Sequence, residues 1–142
     1  MKIVFSTSYY KPYISGLTNS VSEIARGLTD IGHSCQVLTN KHQPILPNEE
    51  TIDGVKVKRF DYQLKISKAM FSGKWLLAPI GDLKAAARVV LHLPQPEGFW
   101  VAILSRIMNK KVISLYACDI SIGDHFLGKL GEMIIDVSSW LC

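Results

Sequence analysis

No apolar run in this 142-residue chain approaches the ~18 residues that a membrane-spanning helix needs. Met1-Lys2 is followed only by Ile3, Val4 and Phe5, too short an apolar stretch for a secretory signal. The three cysteines, Cys35, Cys118 and Cys142, are odd in number and show no CxxC spacing, so neither a disulfide framework nor a zinc site is indicated. A reducing cytoplasm is the expected compartment. The chain also lacks GxGxxG after its first apolar segment, GxxxxGK[ST] and GxSxG, which removes a dinucleotide fingerprint, a P-loop and a nucleophile elbow. Internal repeats and low-complexity segments are missing as well.

What is there suits one domain. With 142 residues, 48% hydrophobic and 20% charged, the chain is long enough for a well-buried core. The first forty residues form one continuous pattern. An apolar opening, residues 2–7, leads into a loop holding Tyr9, Tyr10, Pro12, Tyr13, Ser15 and Gly16. Val21, Ile24, Ala25, Leu28 and Ile31 then fall on one stripe of a 3.6-residue period, predicting a helix over 18–31. Thr18, Asn19 and Ser20 suit its N-cap, and Ser20 with Glu23 has capping-box spacing. Gly27 inside it is read as a mark of close packing on the sheet, and Gly32 as the left-handed stop. Residues 34–39 make a second apolar strand.

Further along, 40–53 reads as a polar loop, and Asp53-Gly54 as a turn before a third strand at 55–60 with one solvated face. Residues 66–75 are ambiguous. A short helix at 79–87 and a fourth strand at 88–93 follow. Residues 97–108 make a helix that is apolar nearly all round, 112–116 a fifth strand, and 127–141 a last helix. Strand and helix in alternation predict an α/β fold: a doubly wound, mostly parallel, Rossmann-like sheet with helices on both faces.

In such sheets ligands bind outside the carboxyl ends of the strands. The loops expected there are 8–16, 94–97 and 117–123, and their polar residues are His92, Gln95, Glu97, Asp119 and Asp124. The first loop feeds a helix N-terminus, where free N–H groups and the helix dipole favour an anion. Its nine residues and three tyrosines exceed the usual two to six of a βα loop, although a plain connector fits the same residues. His92 is a structural histidine or a site residue, and Asp119 a turn cap or a hydrogen-bond acceptor for a polyol. Cys118 has no neighbouring lysine or histidine to lower its pKa and reads as an inert thiol.

Net charge is +4, unevenly spread. Lys56, Lys58, Arg59, Lys65, Lys68 and Lys74 crowd a stretch in which Asp61 is the only acid, interleaved with Leu64, Met70, Trp75, Leu76 and Leu77. A solvated face is one account. A surface peripheral to anionic membrane, or a docking face for a partner protein, is the other. No nucleic-acid module accompanies the charge.

Residues 10–16, the helix that follows and 32–39 resemble the opening of family 4 glycosyltransferases of the GT-B fold. In that family a proline and a glycine pair precede the first helix, and Gly-His leads into the second strand, as Gly32-His33 does here. His92-Leu93-Pro94-Gln95-Pro96 resembles the segment after strand four, and Tyr116-Ala117-Cys118-Asp119-Ile120 is similar to the tyrosine–histidine–cysteine–aspartate segment after strand five.

The resemblance implies the N-terminal, acceptor-binding half of a retaining, metal-independent enzyme, with 1–142 as one domain. Its donor would be a nucleotide-sugar and its acceptor a glycan or lipid-linked molecule. Ser15, Gly16, Leu17 and Thr18 would stand near the donor phosphates; His92, Gln95, Glu97 and Asp119 would line the acceptor side. Two departures follow. Ala117 occupies the position of the family's active-site histidine, and Ser15 replaces one glycine of the pair. The chain also ends before the second Rossmann-like domain, so no catalytic residue is assigned and transfer by this chain alone is not expected.

Overall fold

The computed structural model describes residues 1–66, 69–93, 95 and 97–116. The expectations placed on Lys68, Ala117, Cys118, Asp119, Asp124, Cys142 and the helix at 127–141 lie outside the described residues.

The elements run β1 (Lys2–Ser6), α1 (Gly16–Asp30), β2 (Ser34–Asn40), β3 (Glu49–Ile52), β4 (Val55–Phe60), β5 (Leu64–Ile66), β6 (Ala69–Phe71), α2 (Ile80–Ala85), β7 (Arg88–Leu93), α3 (Gly98–Ile107) and β8 (Lys111–Tyr116). Six strands form one sheet in the order β3-β4-β2-β1-β7-β8. All its pairings are parallel except β3 with β4. The protein is therefore α/β with a mostly parallel, Rossmann-like sheet and helices on both faces.

Period-two alternation along the strands builds two cores. Val4, Leu38, Phe60, Val89 and Leu91 pack with Trp75, Leu83, Val101 and Ala102 on the face of α2 and α3. Ile3, Phe5, Cys35, Val37, Val57 and Val90 pack with Tyr10, Val21 and Ala25 on the face of α1. None of the described helices is long and apolar enough to cross a membrane.

Several local expectations are corrected. Helix α1 begins at Gly16, not at 18, and its N-cap is Ser15. The capping box pairs Ser15 with Thr18, because the chain turns into the helix two residues earlier than the apolar stripe suggests. The buried face holds Thr18, Val21, Ser22 and Ala25, whereas Ile24 and Ile31 are 40% and 70% exposed. Gly27 is solvent-facing and a Cβ there would meet nothing, so it marks no close packing. The stop at Gly32 holds: φ is +90°, and the Gly32 and His33 N–H groups bond Thr29 and Leu28 carbonyls in a Schellman pattern.

The polar stretch 40–53 contains the edge strand β3, which pairs back across the Asp53-Gly54 turn with both turn residues at positive φ. The ambiguous region is the β5–β6 hairpin followed by a 3₁₀ turn at Gly73–Leu76. Helix α3 packs against β7, β8 and α2 and leaves Ile107 exposed.

Candidate functional site

The chain moves outward from β1 through β2 to β4, then returns by α2 to β7 on the other side of β1. The order reverses between β1 and β7, and that switch point is where open α/β sheets bind ligands. The loop after β1 and the segment between β7 and α3 flank it. Gln95 closes the gap directly: its Nε2 donates to Ser6 Oγ at 2.7 Å.

Beside this contact lies a buried polar chain. Trp75 Nε1 donates to Asn40 Oδ1 at 2.8 Å, and Asn40 Nδ2 donates to Glu97 Oε1 at 3.2 Å. Phe60 meets the Trp75 ring edge-on at 4.9 Å, so an apolar wall holds the indole whose N–H orients Asn40. Desolvation raises the Glu97 carboxyl from 4.5 to about 7, opposed by hydrogen bonds to its own backbone and to Asn40. Burial also lowers the His92 imidazole, favouring its neutral form.

These groups are not fully satisfied. Among the described residues eight buried side-chain atoms lack a hydrogen-bond partner, and four of them, Thr39 Oγ1, His92 Nδ1, Gln95 Oε1 and Glu97 Oε2, belong to the carboxyl edge. Folded proteins leave few such atoms, so four gathered at one edge call for an account.

The loop 7–15 is held from beneath. Arg59, 3% exposed on β4, donates Nη2 to the Lys11 carbonyl at 2.6 Å and Nη1 to the Pro47 carbonyl at 3.3 Å, and pairs with Glu50 of β3. Lys11 Nζ meets Asp53 at 2.8 Å. Tyr9 and Tyr13 stack at 4.6 Å, with the His42 ring 5.6 Å from Tyr13. At the helix start, Ser15 Oγ accepts from the Thr18 N–H and Thr18 Oγ1 accepts from the Ser15 N–H. The box leaves the Gly16 and Leu17 N–H groups outside it, and a Cβ on Gly16 would meet nothing within 4 Å.

The residues expected from sequence thus separate into two groups. Ser15, Gly16, Leu17 and Thr18 form the turn into α1, with the Ser15 hydroxyl engaged in its cap. His92, Gln95 and Glu97 stand buried at the β7 side. Sequence reasoning missed Ser6, Thr39, Asn40, Arg59 and Trp75. Their position at strand ends was readable for Ser6, Thr39 and Asn40; nothing local marked Arg59 or Trp75.

The basic stretch is partly neutralised. Lys58 pairs with Asp82 at 3.0 Å, Arg59 with Glu50, and Lys74 with Asp61 at 2.6 Å. Lys56 and Lys65 remain exposed. No protein-family model matches the chain, and no curated protein matches it.

Proposed function

We propose that this chain is the acceptor-side half of a GT-B glycosyltransferase of the family 4 kind. The enzyme moves a sugar from a nucleotide-sugar to a glycan or lipid-linked acceptor, and a second Rossmann-like domain or partner chain supplies the donor half. One observation carries the reading. A capped helix N-terminus and a buried polar edge flank the same switch point, the first suited to an anion and the second to a polyol. The resemblance of residues 10–16, 32–39 and 92–96 to the family adds to it.

In this reading the Gly16 and Leu17 N–H groups face the donor phosphates, where the helix dipole favours negative charge. Ser15 fixes the turn that aims them. His92, Gln95, Glu97 and Asp119 face the acceptor. The Ala117 side chain has no hydrogen-bonding atom where the family carries a histidine, so transfer is slow even with both halves present. The test joins this chain to the donor domain of a family 4 enzyme and supplies nucleotide-sugars and acceptors. Transfer is expected from the joined protein and not from the chain alone, and Ala117→His is expected to raise the rate. No transfer from the joined protein, with or without Ala117→His, overturns the proposal.

A second reading, docking on anionic membrane through 55–77, rests on Leu64, Leu76 and Leu77 standing exposed, as Lys65 does. Flotation with anionic vesicles decides it: binding that ignores both salt and Lys65→Glu counts against the surface.

A further inference from the structure

Two loops at the carboxyl edge are tied together by one enclosed side chain. Arg59 donates to the Lys11 carbonyl in the loop before α1 and to the Pro47 carbonyl in the loop after β2. The same two loops also meet through rings. Tyr9 and Tyr13 stack at 4.6 Å, and His42 stands 6.3 Å from the first and 5.6 Å, edge-on, from the second. Tyr10 anchors the first loop, packed at 1% exposure in the core with Val21 and Ala25 of α1. Beyond that anchor, Tyr13 is 36% exposed and Ile14 80%. Within the loop, the Tyr13 N–H bonds the Tyr10 carbonyl and the Thr7 hydroxyl donates to the Tyr9 carbonyl. The residues just ahead of the Ser15 cap therefore lean on the ring contact with His42.

That contact suits only one protonation state of the imidazole. His42 Nδ1 is buried and has no hydrogen-bond partner. A neutral ring tolerates this by carrying its proton on Nε2 and leaving Nδ1 bare. A charged ring carries N–H on both nitrogens, so Nδ1 becomes an enclosed donor without an acceptor. The charged groups that act on the ring are Arg59 of β4 and Lys65 of β5, both cations, and the loop before α1 faces it with the uncharged rings of Tyr9 and Tyr13. Glu50 is engaged by Arg59, and Asp61 by Lys41 and Lys74. Burial first, and then the two cations, hold the imidazole below its ordinary 6.5.

We propose that His42 is a pH-operated latch: neutral, it holds Tyr9 and Tyr13 and with them the segment leading into α1; protonated, it lets them go. The latch is indifferent to what the start of α1 binds, and rests on the proposed function only in making the gated turn the donor side. A released ring takes up its proton near 6.5 while the latched ring resists it. The latched state thus keeps its full strength above that value and loses ground as pH falls below it. One proton limits the change in the open-to-latched ratio to about tenfold between about pH 7.5 and about pH 5.5.

An NMR titration of the whole chain without ligand tests it, following the His42 ring and its cross-relaxation with the Tyr13 ring. The His42 midpoint is expected below 6.5, and the cross-peaks are expected to weaken several-fold on its acid side. Protonation and release are reciprocal, so Tyr13→Ala, a change at an exposed side chain, is expected to move that midpoint back toward 6.5. His42→Phe keeps a ring against the tyrosines and cannot titrate; its Tyr13 signals are expected to stay constant over the same range. A His42 midpoint at or above 6.5, cross-peaks that ignore acid, an unchanged midpoint in Tyr13→Ala, or Tyr13 signals that still titrate in His42→Phe overturns the latch. None of these readouts involves sugar transfer. The latch can therefore fall while the transferase reading stands, and a joined protein that transfers nothing leaves the latch in place.

Discussion

Glu97 has lost most of its water while keeping one carboxyl oxygen unbonded, and its protonation carries the consequence. Its carboxyl titrates at about 7 in the folded chain against 4.5 when exposed. Between those values the native group holds a proton that the unfolded chain has released, so its contribution to stability falls as pH rises through that window. The span corresponds to about 3 kcal/mol lost by neutral pH. Glu97→Gln is expected to match the parent near about pH 4 and to exceed it by about 3 kcal/mol near about pH 8. Urea unfolding at both values checks this, and a pH-independent difference would contradict it. His92 acts oppositely: burial lowers its pKa, so its cost appears as pH falls below 6.5, the value of the exposed ring. The two are separable because only the Glu97 effect vanishes in the variant. His92, Gln95 and Glu97 were legible because each stands at or just past the end of an apolar strand. Asn40 and Trp75 were not, since the contacts that define their roles join residues 35 and 57 positions apart.

Among the elements, α1 shows best what periodicity can and cannot say. The apolar stripe located the helix and its Schellman stop, because both depend on near neighbours in the chain. It misplaced the start, because Ser15 and Thr18 cap by polar contacts that an apolar stripe does not record. Nor does such a stripe record Ser22, which is buried and hydrogen-bonds the Tyr10 hydroxyl, a contact supplied by the loop. Gly27 reads in the sequence as a packing glycine, yet the space beside it is open. Gly27→Ala is therefore expected to raise stability by ~1 kcal/mol, the helix-interior difference between the two residues. Denaturant unfolding is the check, and a loss of stability would mean that a neighbour does occupy that space. Gly98 is the contrary case. A Cβ there would stand 2.9 Å from Leu93 Cδ2 and 3.0 Å from Gln95 Cγ, so that glycine is required by the segment that places Gln95.

On the scale of the whole molecule, alternation of strand and helix was enough to predict the parallel sheet, since its crossovers need long connections. The edge strand β3 escaped notice because its four residues carry the burial pattern of an exposed edge, with no apolar run to announce it. Arg59 escaped for a different reason: it sits among lysines in sequence but is turned inward by a strand that alternates faces. Because its side chain is enclosed and shared among Glu50, Lys11 and Pro47, Arg59→Ala is expected to cost roughly 3–5 kcal/mol. Thermal unfolding measures the loss, and a shift below ~1 kcal/mol would show that the charge is not truly enclosed. The sheet order has a temporal meaning as well. The two sides of the switch point come from distant stretches of chain, joined where Gln95 reaches back 89 positions to Ser6. A ribosome that has released only the first eighty residues has delivered the turn into α1 and none of the groups on the β7 side. The two flanks of the switch point therefore come together only when β7 docks against β1, and a growing chain lacks that edge until then.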